Sequence, residues 1–221
     1  MWQALGALLP IAVAVALSSV PITATILILL SANRNVAALP FLLGWVIGVA
    51  GLIILCTLFA SVLPKPPRRG SDIVTAALLI IIGVALIVLG VVNLRRSAQT
   101  DRPGLSRWVS RVESFGALVS FAVAVVLNFR PKGLLLGVAA GLALYAASVK
   151  VGEAAILIAV YTVIATSTVV VPIAASFIAP RQVEPKLIAA RDWLARNGRL
   201  LTSLMMFMIG VVILGGGIAK L

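Results

Sequence analysis

The sequence predicts an all-α membrane protein of six transmembrane helices, arranged as two inverted three-helix repeats, with helices 1 and 4 broken or kinked at Pro21 and Pro131. Three observations predict it. The chain is 62% hydrophobic and only 11% charged, against about 25% charged in a soluble domain. Its mean hydropathy is +1.20, which leaves too little polar surface to cover a globule in water. Two stretches of the first half also recur in the second.

Six apolar segments follow one another, at about 4–31, 38–62, 72–93, 114–148, 151–178 and 199–220. A helix needs roughly 20 residues to cross the hydrocarbon, and four of the six fit a straight or tilted crossing. The first is long and holds Pro10 and Pro21. The fourth holds Pro131 between Arg130 and Lys132. Straight, it would be roughly 50 Å long against a core of about 30 Å. It is therefore expected to be kinked, broken or partly re-entrant. The alternative is a tight Arg-Pro-Lys-Gly loop between two short crossings, 115–129 and 134–149.

The connections are basic. Pro64–Gly70 reads as a stiff turn. Residues 94–113 and 179–198 carry Trp108 and Trp193 among arginines, a combination suited to the headgroup layer, and short interfacial helices are expected there, especially at 185–197. The net charge of +12 thus reads as membrane-surface anchoring rather than nucleic-acid binding. Met1–Leu9 lacks a basic start, so no cleavable signal peptide is expected. Connections one-two, three-four and five-six hold eleven Lys and Arg residues, from Arg34 to Arg199. The opposite side holds five: Lys65, Arg68, Arg69, Lys150 and Lys220. The richer side belongs in the cytoplasm, so both termini are expected outside the inner membrane.

The repeat fixes the domain reading. Gly6–Pro21 matches Gly116–Pro131 without a gap at an offset of 110, pairing Gly6 with Gly116 and Pro21 with Pro131. Ile73–Leu94 matches Leu200–Leu221 at an offset of 127, pairing Gly83 with Gly210 and Gly90 with Gly217. The first repeat is then 1–93, the basic interfacial linker 94–113 and the second repeat 114–221, with 179–198 as an added basic segment. An odd number of helices per repeat inverts the second half, the design of many secondary transporters, whose sites lie at broken helices near the midplane.

Arg130 and Lys132 are the only charges inside the six segments. Asp72, Asp101, Glu113, Glu153, Glu184 and Asp192 all fall in loops or at segment ends. A cation at this depth must face water, substrate or headgroups. Helices restarting after the prolines would aim N–H groups and positive dipole ends at the breaks. Asn128, Ser18, Ser19 and Thr23 stand beside them. Together these residues form a candidate substrate site for a carboxylate, sulfate or phosphate. The chain has no histidine and one cysteine, so a metal site and a thiol relay are not expected. No nucleophile-and-base cluster or phosphate loop is present, so neither an enzyme nor a resident cofactor is expected. Gly44-Trp-Val-Ile-Gly48 has the small-xxx-small spacing that allows close helix approach, within one protomer or in a homodimer.

Leu17-Ser-Ser-Val-Pro-Ile-Thr-Ala24, Ala32-Asn-Arg-Asn35, Phe41–Gly48 and Arg130-Pro-Lys-Gly-Leu-Leu-Leu136 together resemble the GAP family, the glycolipid- and sulfolipid-addressing proteins of mycobacteria and relatives. That family is similar in turn to the lysine-exporter (LysE) superfamily, where segments one and four carry Pro-Gly-Pro and Asn-Pro-Lys motifs. Here those positions read Ser19-Val-Pro21 and Arg130-Pro-Lys132, which favours the lipid-addressing branch. The resemblance implies export of anionic or amphipathic envelope glycolipids across the inner membrane, with membrane lipids as partners. Two other readings remain: a proton-coupled amino-acid or other small-solute exporter, and a non-transporting assembly partner of a larger lipid transporter.

Overall fold

The computed structural model describes residues 2–62, 71–95, 116–147 and 149–218. The expected turn at 64–70, most of the 94–113 linker with Trp108, and Lys220 lie outside the described residues. Eight helices make up the described chain, with no strand among them: α1 Trp2–Ala16, α2 Ser19–Leu30, α3 Arg34–Val62, α4 Ser71–Arg95, α5 Ala117–Asn128, α6 Pro131–Ala146, α7 Val151–Ile178 and α8 Pro180–Ile218. Four stretches are long and apolar enough to cross a membrane: Arg34–Ser61, Ala76–Arg95, Val151–Ile178 and Leu200–Ile218. Two bent pairs raise the count to six if each is one span, α1–α2 at 45° and α5–α6 at 65°.

The bends lie where proline geometry puts them. A proline ring strikes the carbonyl four residues back, and its missing N–H costs nothing in a first turn. For Pro21 that carbonyl is Leu17, and the first break falls there. α1 closes with Ser18 N–H on Val15 O (3.1 Å), Ser18 is extended at ψ 120°, and Pro21 becomes the third residue of α2. The break thus precedes Pro21 instead of coinciding with it. At the second break Pro131 is the first residue of α6, and Arg130 before it is extended at ψ 153°, as the residue preceding proline prefers. Gly133 completes the bend, since a Cβ there would strike the Asn128 carbonyl oxygen.

Each bent pair runs along one long helix of the other half. Gly44 of α3 faces Phe121 and Ala124 of α5, and Gly48 faces Val125 and Asn128. Farther along α3, Leu52 meets Gly137 of α6, and Cys56 meets Gly141. Both numbers rise together, so α6 carries on where α5 stops. The pair is a bent continuation; a hairpin of two short crossings would retrace α3. Likewise Leu5, Leu8 and Ala12 of α1 lie with Leu157, Tyr161 and Ile164 of α7. Thr168 then donates to Ala16 O at 2.6 Å, and Leu29 of α2 reaches Ser176. The buried residues Phe41, Trp45, Val49 and Ile53 on α3, and Leu157, Tyr161, Ala165, Val169 and Ile173 on α7, recur every fourth residue as i±4 ridges. The small-xxx-small motif is used within the chain, against α5.

α4 and α8 form the most extensive helix pair. They are antiparallel, because their contacts run in opposite directions. Gly83 meets Gly210 and Leu214, while Gly210 meets Gly83 and Ile87. Gly90 meets Ser203 and Phe207, while Gly217 meets Ala76 and Ile80. Adding 127 to each α4 number and subtracting it from each α8 number turns these contacts into one another, a self-complementary pattern. Around this body, Leu43, Ile47, Leu58, Phe59, Ile81, Val163 and Val171 point outward, a belt too apolar for water.

One expected element differs. Residues 185–197 are helical, but they belong to α8, which runs unbroken through 39 residues, about 58 Å at 1.5 Å per residue. Asn197-Gly198 does not break it: Asn197 Nδ2 donates back to Trp193 O at 3.1 Å, and Gly198 sits against Leu194 and Ser19. Ser19 Oγ and Thr202 Oγ1 are 2.8 Å apart and tie α2 to α8. A double-mutant cycle of Ser19→Ala and Thr202→Ala is expected to give a coupling of about 0.6 kcal/mol, and below about 1.7 kcal/mol, as for other bonds between membrane helices. Reversible unfolding in micelles measures it; zero coupling would mean the bond contributes nothing.

Candidate functional site

The break between α5 and α6 gathers three of the six polar residues expected of a site, Asn128, Arg130 and Lys132. Asn128 ends α5, buried, its Nδ2 donating to Ala124 O at 3.0 Å. Its amide lies against Gly48, where a Cβ would collide with it; glycine is what lets α3 approach the break. Arg130 caps α6 without a side-chain capping bond; the residue is exposed and is not without an interaction partner. Lys132, in the first turn of α6, is half-buried, and its Nζ is fully buried with no hydrogen-bond partner among the described residues. A first helical turn leaves its own N–H groups without intrahelical acceptors. Lys132 and Gly133 supply two such groups here; Pro131 has none to offer.

The break between α1 and α2 is arranged differently. Ser18 caps α2 without a side-chain capping bond. Thr23 Oγ1 donates to Ser19 O at 2.7 Å, and Thr25 Oγ1 donates to Pro21 O at 2.8 Å. Ser19 is engaged with Thr202. α2 packs on α3, α7 and α8, whereas α6 packs on α3, α1 and α4. The structure brings Asn128, Arg130, Pro131 and Lys132 together at one break and Ser18, Ser19, Pro21 and Thr23 at the other. The two bent pairs meet where α1 packs on α6, whereas α2, which carries Ser19, Pro21 and Thr23, has no extensive seam with α5 or α6 among the described residues.

Three further buried groups have no hydrogen-bond partner among the described residues: Trp45 Nε1 on α3, Ser120 Oγ on α5 and Thr162 Oγ1 on α7. With Lys132 Nζ, all four are able to donate. Buried donors without acceptors are costly, and a ligand rich in acceptor oxygens relieves that cost. Sequence reasoning missed these three because Trp45 and Ser120 lie in apolar runs, and Thr162, beside Tyr161 and near Thr166-Ser167-Thr168, carries no signal that distinguishes it from other helical threonines. Among the described residues no group of His, Cys, Asp and Glu is placed to hold a metal ion.

A helical body with broad outward apolar faces, several of its helices long enough to span a bilayer, and a buried ammonium at a helix break define a multi-pass membrane protein. The chain belongs to the Sap, sulfolipid-1-addressing protein, family, whose model matches residues 8–219. That membership ties it to the handling of sulfolipid or glycolipid. No curated relative and no solved structure matches it.

Proposed function

We propose that this chain is an inner-membrane exporter, or flippase component, for anionic or amphipathic cell-envelope glycolipids, built as six spans in two inverted repeats. The observation that carries the reading is the buried Lys132 ammonium at the α5–α6 break, without a hydrogen-bond partner among the described residues. A lone cation is retained at such depth only for work that needs it. A sulfate or other anionic headgroup supplies the missing charge and acceptors, and a sulfolipid-addressing family makes that headgroup the fitting one. The exchange of α4–α8 contacts at an offset of 127, and the matching course of each bent pair along a helix of the other half, support the inverted repeat. In such a design the halves rock about the site, and lipid tails leave sideways between helices. The proline motifs at both breaks are the ground for kinship with the lysine exporters.

The test is surface-lipid extraction, with parallel solute efflux, from cells lacking the protein and rescued by wild type or by Arg130→Ala/Lys132→Ala. An anionic glycolipid should vanish from the surface of the deletion cells and return only with wild type. Unchanged surface lipids with a small solute building up inside would replace this reading by a solute carrier. Full rescue by the double variant would remove the two cations from the site.

A further inference from the structure

A second polar feature lies away from both breaks. α2 ends at Leu30, α3 starts at Arg34, α7 ends at Ile178 and α8 starts at Pro180. Where these four ends meet, a cavity of about 170 Å³ opens, lined by Leu29, Arg34, Asn35, Ser176, Phe177 and Pro180. Arg34 is its only charged residue, and no carboxylate lines it. No other described residue takes up the Arg34 guanidinium or the Asn35 amide. Ser176 Oγ already donates to Pro172 O at 2.7 Å, so it can only accept.

We infer that this cavity binds the oxyanion of a sulfate or phosphate ester, held by Arg34 and Asn35, with the esterified chain lying outward over Phe177 and Ile178. The volume sets the ligand's size. At roughly 30 Å³ per water, the cavity holds five or six waters, too many for a single bridging water and too few for a glycolipid. An oxyanion and its first carbons fit. Arg34 presents a planar fork that matches two oxygens of such a group, and Asn35 adds amide donors. On the open side Phe177 is 48% exposed and Ile178 is 83% exposed, an apolar ledge continuous with the outward belt. A cationic pocket ending on an apolar ledge suits an amphiphile, charged end inward. This site is separate from Lys132 and does not require transport through the α5–α6 break.

The test uses Phe177→Cys as a reporter thiol in a Cys56→Ala chain, reconstituted in phosphatidylcholine vesicles. The rate of maleimide labelling is compared with that in vesicles also containing phosphatidylglycerol, and with inorganic sulfate in the buffer. Phosphatidylglycerol is expected to slow labelling several-fold. Arg34→Ala should restore the fast rate, and Arg34→Lys should keep part of the protection. Lys132→Ala should leave protection intact, so the outcome is independent of the export reading. Slowing by sulfate as well would assign the site to soluble oxyanions in addition to headgroups. Equal rates under all three conditions would overturn the inference. So would slowing that survives Arg34→Ala, since that is the mark of surface charge acting on the reagent.

Discussion

Gly83→Leu should strip folded protein from the membrane, and Gly210→Leu should do so to the same extent. A Cβ at Gly83 would lie 2.8 Å from the Gly210 carbonyl oxygen and 2.8 Å from the Leu214 nitrogen. A Cβ at Gly210 would lie 2.8 Å from the Gly83 carbonyl oxygen and 2.7 Å from Ile87. The obstacles are mainly backbone, so no rotamer change makes room, and the helices must separate. Overpacking usually costs about 1–3 kcal/mol; against backbone on the longest seam of the molecule, about 3 kcal/mol or more is expected. Membrane helices have no hydrophobic drive to re-dock, because lipid tails are as apolar as the partner, and close packing is what holds them. Gly51→Ala is the contrast, since nothing lies within 4 Å of a Cβ there. Trading a helical glycine for alanine should stabilise by up to about 1 kcal/mol. Detergent melting of the three variants reads this directly. If Gly83→Leu and Gly210→Leu differed widely, the exchange relation between α4 and α8 would not extend to energetics.

That pair also marks how far the sequence could be read. The offset of 127 pairs Gly83 with Gly210 in the sequence, but does not by itself say that they touch, as they do in the structure. Alignment says that two residues occupy equivalent places; their contact depends on how the helices that carry them pack. The second break was legible, because Pro131 fixes its own position and that of Arg130. The first was misplaced by a few residues, because a proline tolerated inside a first turn ends the preceding helix upstream of itself. The continuous α8 was missed because its basic first half and apolar second half look like different environments, while nothing at Asn197-Gly198 stops the backbone ladder. Long-range juxtapositions have no local signature. Asn128 against Gly48, and Arg34 beside Ser176, come from helix register, which composition does not encode. Membership of the sulfolipid-addressing family agrees with the motif reading, yet the family says nothing about which buried donors lack partners.

Lys132→Met should make the protein more stable and, on the export function proposed above, end export. Methionine keeps the length and flexibility of the lysine stem and removes the charge. An ammonium without a counter-ion in the membrane interior costs about 2.5–3.5 kcal/mol on insertion scales, less whatever water or headgroup reaches it. Removing it should therefore recover about 1–3 kcal/mol, roughly 2–12 °C in the melting temperature of a chain this size. A residue kept only for structure would show the opposite sign, because methionine would then leave a gap or an unsatisfied neighbour. Under that proposal export should fall to the level of cells without the protein, since the headgroup would lose the Lys132 ammonium as counter-charge. Lys132→Arg should retain part of the activity, and added anionic lipid should raise the melting temperature of wild type more than that of Lys132→Met. The two readouts must move in opposite directions. A variant that is less stable and inactive would make Lys132 a structural residue. A more stable variant with full export would show that the ammonium is a burden the lipid never uses.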